Sequence, residues 1–383
     1  MVFAPYDQFI DVKFIAEGGF SKIYKAIWIN RPLKIFHEFS LNWKKKYFSR
    51  KNDGTYNYVS RYFGITQEPV TKDIMIIMPY YKLGDLINYL TNDFYNIHWY
   101  DKLYRLKNII NGLVNIHSVN ILHRDFHSGN IFFNEKKYAY LGNLGLSKSA
   151  TEFTDDDNNN ENYGIIPYMA PEIFKGQKYT KESDIYSFGM IMWEFMTGRR
   201  PFWNRSHDAE LIIEICDGLR PPIVTNAPKG YIELMKECWN SDLNKRPEAT
   251  NIYNRIDKME KNGCEIIKSS EIGPVTTNNP GAIYRSRPLS GIIQSAMSTM
   301  SIIKMLAVTV ILRHNKRKFD DNQIENSFNE DKIIKKIKLI KNENNDYTTQ
   351  EFELDIDINS EDRKSEQCII DESYITQEID FDI

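Results

Sequence analysis

The sequence predicts an α+β fold in which a small β-rich part precedes a larger, mainly α-helical part. Residues 10 to about 80 contain short apolar segments of strand length, such as IMIIM at 74–78, separated by turn residues. After PYYKLGD the pattern changes, because apolar residues in 100–118 recur at the three- and four-residue spacing of an amphipathic helix. We therefore place the boundary between the two parts at residues 79 and 80.

Local signals predict the limits of individual elements. IYKAIWI at 23–29 and PLKIF at 32–36 are predicted to form a hairpin around Asn30-Arg31. The strongly apolar stretch SDIYSFGMIMWEFMTG is predicted to form a helix with Ser183 as its N-cap and Gly198 as its stop.

Composition and charge exclude several classes of protein. The chain has 383 residues, of which 42% are hydrophobic, enough for a substantial core. A formal net charge of −3 gives no global attraction to nucleic acid or to a membrane. Four scattered cysteines form no CxxC pair, as expected for reduced thiols of an intracellular protein. The N-terminus lacks a signal-peptide pattern. The longest apolar run, at 302–312, has 11 residues, fewer than the about 20 that a membrane-spanning helix needs.

The periodic patterns end near residue 262. The stretch TTNNPGAIYRSRPLSG is interpreted as a linker. Residues 313–341 contain nine Lys or Arg, whereas 351–383 contain twelve Asp or Glu against two basic residues. We predict that 261–383 is a mostly disordered, charged tail. Its basic part is either a nuclear-import or anion-binding patch or a solvated segment neutralised by the acidic end.

The most specific motif is HRDFHSGN at 123–130, which follows the long predicted helix. It resembles the catalytic loop H-R-D-x-x-x-x-N of protein kinases. The resemblance implies that Asp125 orients the substrate hydroxyl and accepts its proton, and that Asn130 binds Mg²⁺ beside ATP. It also implies that His123 is a structural residue and not a base. A polar turn stabilised by Asx hydrogen bonds is the alternative.

Three further motifs occur in the order found in kinases. MAPE at 169–172 resembles the end of the activation segment. DIYSFG at 184–189 resembles a helix start whose Asp hydrogen-bonds to the catalytic-loop backbone. The region CW…KRP resembles the one whose Arg pairs with the activation-segment Glu, which implies a buried Glu172–Arg246 ion pair. The resemblance covers residues 8–260 and implies the two-lobed protein kinase fold, with a small lobe at 8–79, a large lobe at 80–260 and ATP between them.

The glycine-rich loop that holds ATP phosphates in kinases corresponds to AEGGFSKI at 16–23. Ala16, Gly18 and Ser21 stand at the three glycine positions, and Ile23 follows them. The two substitutes are small, so the backbone can still approach the phosphates.

The remaining implied ATP contacts lie farther along the small lobe. Lys34 stands where kinases place the lysine that contacts the α- and β-phosphates, 44 residues before Met78. An ordinary surface lysine is the alternative. Met78 is the implied gatekeeper, and Tyr80 and Tyr81 are the implied hinge residues beside the nucleotide.

Two carboxylates that kinases use are missing. The stretch 42–52, where the partner of the phosphate-binding lysine should lie, has five Lys or Arg and no carboxylate. Asn143-Leu144-Gly145 occupies the D-F-G position, so the implied metal ligands Asn130 and Asn143 are both amides, whereas Mg²⁺ favours carboxylates. One unit charge at about 4 Å is worth roughly 4 kcal/mol at an effective dielectric near 20, which is up to about a thousandfold in rate. Alternatively, Asn143 caps a turn and the metal is held elsewhere.

Two functions from different classes follow, and a third possibility is that the basic and acidic tail carries the main function through a nuclear partner. The first is an ATP-dependent protein kinase of the tyrosine-kinase-like group, with Ser/Thr or Tyr acceptors, acting in intracellular signalling. The second is a pseudokinase, a scaffold that regulates a protein partner with little or no catalysis. Thr151, Thr154 and Tyr163 lie on a polar loop, as phosphoacceptors or as idle residues. We expect a cytoplasmic protein, or a nuclear one if the basic tail directs import, with no nucleic-acid or membrane partner.

Overall fold

The computed structural model describes residues 2–17, 22–29, 58–150, 162–224, 227–260 and 271–320. Several predicted features lie outside the described residues: Gly18, Ser21, Lys34, the second half of the 23–36 hairpin, the carboxylate-free stretch 42–52, Thr151, Thr154 and the chain from 321 onwards.

The N-terminal part of the described chain consists of β-strands, as predicted. They are β1 (Val2–Phe3), β2 (Phe9–Glu17), β3 (Lys22–Trp28), β4 (Gly64–Gln67) and β5 (Ile74–Ile77). β4 is the middle strand of a sheet, parallel to β1 and antiparallel to β5. β2 and β3 form an antiparallel hairpin in which Ala16 lies opposite Ile23. β1 thus lies before residue 8, the predicted start of the small lobe.

The following part is mainly helical. Its helices are α1 (Leu86–Asp93), α2 (Trp99–His117), α3 (Pro171–Phe174), α4 (Lys181–Thr197), α5 (Ala209–Cys216), α6 (Tyr231–Cys238), α7 (Ala249–Glu260) and α8 (Ser290–Asp320). Its short strands are β6 (Ile121–Leu122), β7 (Ile131–Phe133), β8 (Ala139–Leu141), β9 (Lys148–Ser149), β10 (Tyr163–Gly164) and β11 (Arg287–Pro288). β6 pairs with β9 and β7 with β8, both antiparallel.

The core of the large lobe is formed around α2 and α4. The apolar positions of α2 that the helical spacing predicts, among them Leu103, Leu106 and Ile110, are fully buried. α4 begins at Lys181 and is capped by Thr180, so the prediction of Ser183 as N-cap was wrong. Ser183 instead accepts the Thr180 N–H in a capping box, because the polar first turn precedes the apolar stretch.

The segment 271–300 is ordered and packed, so the expectation of a linker after residue 262 is wrong here. β11 pairs antiparallel with β10, and Ile272, Leu289 and Ile293 are buried. α8 begins directly after β11 and packs against α5. These contacts are made by isolated apolar residues and by backbone hydrogen bonds. Neither produces the periodic apolar pattern from which helices and strands are predicted.

One stretch of α8, Ser290–Thr309, is long and apolar enough to cross a membrane, and it is the only described helix that is. The prediction considered only the apolar run at 302–312 and so underestimated the length of this stretch. Uncharged residues before the run extend the apolar stretch to 20 residues, with a mean hydropathy of 1.4. Ile293, Ala296 and Met300 of this stretch are buried inside the protein. Core helices of soluble proteins and signal sequences meet the same two criteria, so length and composition do not identify a membrane span.

Candidate active site

The loop that carries Asp125 connects β6 to β7, and its backbone is hydrogen-bonded to the first turn of α4. The backbone N–H groups of His123 and Arg124 donate to the Asp184 carboxylate at 2.8 Å and 3.0 Å. The His117 Nε2 lies 2.9 Å from the same carboxylate. Asp184 is buried, so these contacts replace its lost hydration. The prediction that Asp184 hydrogen-bonds to the loop backbone is confirmed.

His123 connects this loop to the turn after β8. Its side chain is fully buried, and its Nε2 lies 2.9 Å from the Gly142 carbonyl oxygen. Burial lowers the pKa of His123, so the imidazole is neutral and donates its Nε2 hydrogen to that carbonyl. The contact places Asn143, the next residue, beside the catalytic loop.

Asp125 is buried and ionised. Burial alone would raise the pKa of its carboxyl group, but the His127 imidazole and the Ser286 hydroxyl outweigh burial and lower that pKa to about 2. The His127 Nε2 lies 3.5 Å from Asp125 Oδ2. The Gly129 N–H donates to His127 Nδ1 at 3.1 Å, and this bond fixes the orientation of the ring.

Asn130 and Asn143 complete a hydrogen-bonded cluster with Asp125. The Asn130 amide donates to the Asp125 backbone carbonyl at 2.7 Å and to its carboxylate at 3.3 Å. The Asn143 amide in turn donates to Asn130 Oδ1 at 3.1 Å. Asn143 has φ 56° and ψ 59°, a left-handed conformation that Asn tolerates better than most residues. The structure therefore brings together three residues that the sequence analysis singled out.

The donor set of this cluster does not fit a Mg²⁺ ion. Mg²⁺ favours carboxylate oxygens, yet the two predicted ligands are neutral amides. The Asn143 amide also donates to Oδ1 of Asn130, the only oxygen of that side chain. Among the described residues, no group of three or more His, Cys, Asp and Glu side chains lies close enough to hold a metal. Asp125 is the one carboxylate in the cluster, and a serine hydroxyl contacts both of its oxygens.

Four of the implied nucleotide contacts lie on the small lobe and the segment after β5. Ala16 and Ile23 face each other on the β2–β3 hairpin and are exposed. Met78 is partly buried directly after β5, and Tyr80 is exposed, with the Lys25 ammonium 4.4 Å from the centre of its ring. The hairpin thus reaches the expected hinge.

Tyr81 contributes to packing. Its ring stacks on Phe132 with centroids 5.3 Å apart, and its hydroxyl donates to Ser60 Oγ at 3.0 Å. Burial raises the pKa of Tyr81. The side chain therefore lies between the hinge and the β7–β8 pair, so any contact of this residue with a nucleotide is left to its backbone.

The end of the predicted activation segment is held by an ion pair. Both guanidinium nitrogens of Arg246 donate to the two Glu172 carboxylate oxygens, at 2.6 Å and 2.7 Å. Both side chains are buried. The bidentate geometry satisfies both carboxylate oxygens, which a buried charge requires. The predicted Glu172–Arg246 pair is confirmed.

Two contacts at this site were missed from the sequence. The Ser286 hydroxyl lies 2.8 Å and 2.9 Å from the two carboxylate oxygens of Asp125, although 161 residues separate them. The Tyr62 hydroxyl accepts the Leu144 N–H at 3.0 Å and so holds the turn after Asn143 from the small-lobe side. Ser286 lies in an aperiodic stretch and Tyr62 in an ordinary aromatic segment, so neither carried a signal.

Comparison with known proteins agrees with this geometry. A family model described as protein tyrosine and serine/threonine kinase matches residues 12–256. A Dictyostelium discoideum protein named as a probable LIM domain-containing serine/threonine-protein kinase is 26% identical over 258 residues, 64% of this chain and 38% of that protein. Ephrin type-B receptor 1 of Gallus gallus is 28% identical over 316 residues, 77% of this chain and 32% of the receptor. The chain thus spans less than two fifths of these relatives.

Proposed function

Because the chain belongs to the protein tyrosine and serine/threonine kinase family, we propose that it transfers the γ-phosphoryl group of ATP to hydroxyl groups of proteins. The observation that carries this proposal is the state of Asp125. Its carboxylate is buried, has a pKa of about 2 and contacts a serine hydroxyl with both oxygens. A base that orients an acceptor hydroxyl needs this geometry, since proton transfer requires hydrogen-bond contact.

Asp125 acts on the acceptor hydroxyl mainly by orienting it. A carboxylate with a pKa of about 2 is a weak base toward a free alcohol, so the proton does not leave in the resting complex. The proton moves to the carboxylate as the new O–P bond forms and the bond between the γ-phosphorus and the β–γ bridging oxygen breaks. ADP then leaves, and the phosphoprotein carries the transferred group.

The scaffold around Asp125 supports this role. Asp184 holds the backbone on one side of Asp125, and Asn130 donates to its backbone carbonyl on the other. The carboxylate is therefore positioned by hydrogen bonds that need no bound nucleotide. A catalytic group that is already oriented before the reaction lowers the activation barrier of a transfer reaction.

The test is phosphate incorporation into dephosphorylated casein by the full chain with ATP and Mg²⁺. Replacing the base with Asp125→Asn should lower the rate by about 10²–10⁴-fold, the usual contribution of a positioned acid or base. The exposed Asp217→Asn, which makes the same chemical change on the surface, is the matched control and should leave the rate unchanged. Equal rates for Asp125→Asn and the unaltered chain would refute the proposal.

A pseudokinase is the second candidate function, and the amide pair favours it. Asn143 donates to Asn130 at the position where kinases use an aspartate as the anionic metal ligand. In this alternative the domain keeps its fold and acts by binding a protein partner. A thermal-shift titration separates the two: stabilisation by ATP that is unchanged by Mg²⁺, together with no incorporation into casein, supports the pseudokinase and contradicts the kinase.

A further inference from the structure

The segment that follows the large lobe returns to the catalytic loop. Two backbone hydrogen bonds attach its first part to the large lobe. The Gly273 N–H donates to the Thr197 carbonyl at 2.7 Å, and the Gly281 carbonyl accepts the His207 N–H at 2.9 Å. The segment then reaches Asp125 with Ser286, which is 7% exposed. The segment thus lies against the buried Asp125 carboxylate.

Ser286 has the contacts that an acceptor hydroxyl would make. Its Oγ lies 2.8 Å and 2.9 Å from the Asp125 oxygens and 3.3 Å from the His127 Nε2. Among the described residues, Ser286 is the one whose side-chain hydroxyl contacts the Asp125 carboxylate. Both atoms of a hydroxyl-to-carboxylate proton transfer are therefore already in contact.

The backbone around Ser286 is bound as an added strand. Gly164 is paired with Arg287 and Tyr163 with Pro288 in antiparallel register. The Leu289 N–H donates to the carbonyl of Asn162 at 2.7 Å, directly before β10. Addition of an extended peptide to a strand is a common mode of peptide binding, in which the main chain supplies affinity and the side chains supply specificity.

Side chains on both sides of Ser286 anchor the segment. Leu289 is fully buried. The Arg287 guanidinium donates to the His207 carbonyl at 2.7 Å, and the Tyr284 hydroxyl donates to the Pro201 carbonyl at 2.8 Å. Arg285 and Pro288, between these anchors, are exposed. The serine is thus presented by a short extended peptide whose other side chains either anchor it or face solvent.

We propose that residues 284–289 occupy the protein-substrate site of their own domain and that Ser286 is its phosphoacceptor. The proposal rests on the proposed function and adds the acceptor: a serine in an extended segment, bound in cis. ATP supplies the phosphoryl group. The Ser286 Oγ–P bond forms as the bond from the γ-phosphorus to the bridging oxygen breaks, the hydroxyl proton passes to Asp125, and ADP leaves.

Modification of Ser286 would also release the segment. The phosphoserine carries between about −1.5 and −2 charges, and it would form within contact distance of the Asp125 carboxylate. Repulsion between these groups in a buried place favours departure of residues 284–289, which uncovers Asp125 for other substrates. Before modification, the segment excludes them.

The test uses the full chain, first treated with phosphatase and then given ATP and Mg²⁺, with phosphosites mapped by mass spectrometry over time. We expect phosphate on Ser286, with a rate constant that does not change with protein concentration, as an intramolecular reaction requires. Ser286→Ala should lose this phosphate, and Ser286→Thr should regain it as phosphothreonine. Ser301→Ala, which changes an exposed serine on α8 whose hydroxyl donates to the Met297 carbonyl, is the matched control and should behave as the unaltered chain.

A second variant tests occupancy of the site without removing the hydroxyl. Leu289→Ala removes the buried side chain that anchors the segment and leaves a cavity in its place. We expect severalfold slower modification of Ser286 and severalfold faster phosphorylation of casein. Unchanged rates for both would overturn the proposed occupancy.

The two proposals fail in different ways. Phosphorylation of casein by the unaltered chain, with Ser286 unmodified throughout, overturns Ser286 as acceptor and leaves the proposed function intact. Modification of Ser286 that accelerates with protein concentration also overturns the cis assignment. No incorporation into either casein or Ser286 overturns both proposals.

Discussion

The two sides of Asp125 are built from different chemistry. On the large-lobe side, charged groups hold the catalytic loop and the end of the activation segment: Asp184 accepts the loop N–H groups, and Glu172 pairs with Arg246. On the nucleotide side, the neighbours Asn130 and Asn143 are neutral amides bonded to each other. Charges that position the backbone are thus present, whereas the amide pair Asn130–Asn143 carries none.

The hydrogen bonds from the catalytic-loop backbone to Asp184 do not involve the amide pair. The predictions that follow change one side at a time, and we take them from the largest expected effect to the smallest.

Breaking the charged side should cost stability. Glu172→Ala leaves the buried Arg246 without its partner, which typically costs about 3–5 kcal/mol in the free energy of unfolding. The measurement is chemical denaturation of the full chain. The matched control is Glu237→Ala, which removes a bidentate pair with Arg255 at the surface and should cost at most about 1 kcal/mol. Equal losses in the two variants would contradict the assigned role of the buried pair.

Adding charge to the neutral side should raise the rate. Asn143→Asp places a carboxylate where the site has an amide, worth up to roughly 4 kcal/mol or about a thousandfold in phosphate transfer. Casein phosphorylation measures the rate, and the Mg²⁺ dependence of the ATP thermal shift measures metal binding. Asn92→Asp, which adds the same charge at an exposed position of α1, should change neither. A rate for Asn143→Asp equal to that of the unaltered chain would show that this position does not limit the site.

A buried acid beneath the catalytic loop should make stability depend on pH. Burial raises the pKa of Glu194 to about 8, although hydrogen bonds from Tyr168 and Ser128 and the charge of Arg200 oppose the shift and Asp85 adds to it. The folded state therefore holds a proton that the unfolded state releases near its usual pKa of about 4.5, so stability falls as pH rises from about 5 to about 8.

Removing this acid should flatten the pH dependence. One pKa unit corresponds to about 1.4 kcal/mol, so Glu194→Gln should be more stable than the unaltered chain by a few kcal/mol above pH 8 and little different near pH 5. Denaturation across this pH range measures it. The exposed Glu233→Gln is the control and should keep the slope of the unaltered chain. A Glu194→Gln variant that keeps this slope would show that Glu194 is not its source.

The smallest expected effect concerns the turn after Asn143. Tyr62→Phe removes the acceptor of the Leu144 N–H and should cost about 1 kcal/mol, the usual worth of one hydrogen bond. Thermal unfolding detects it. Tyr100→Phe removes a hydroxyl from a tyrosine that is 57% exposed and should cost nearly nothing. If Tyr62→Phe is equally neutral, the turn is held without the small lobe.

Much of the fold was predictable because its elements are local. The α2 helix and its buried apolar face follow from side-chain spacing alone. The motifs around Asp125, Glu172 and Asp184 were predictable because the groups that hold a catalytic loop must be of particular residue types. The true start of α4 was not, because a capping box in a polar turn gives a weaker signal than the apolar run that follows it.

The sequence by itself determined the family, the two-lobed order of strands and helices, and the identity of the residues beside Asp125, since each depends on residue type and spacing. Only the tertiary structure decided that Asn143 donates to Asn130 and that Ser286 reaches Asp125 from an apparent linker. Contacts between residues 161 positions apart leave no periodic trace in the chain. This contact accompanies the pairing of Arg287 and Pro288 with β10, which holds the neighbouring Ser286 beside the catalytic loop.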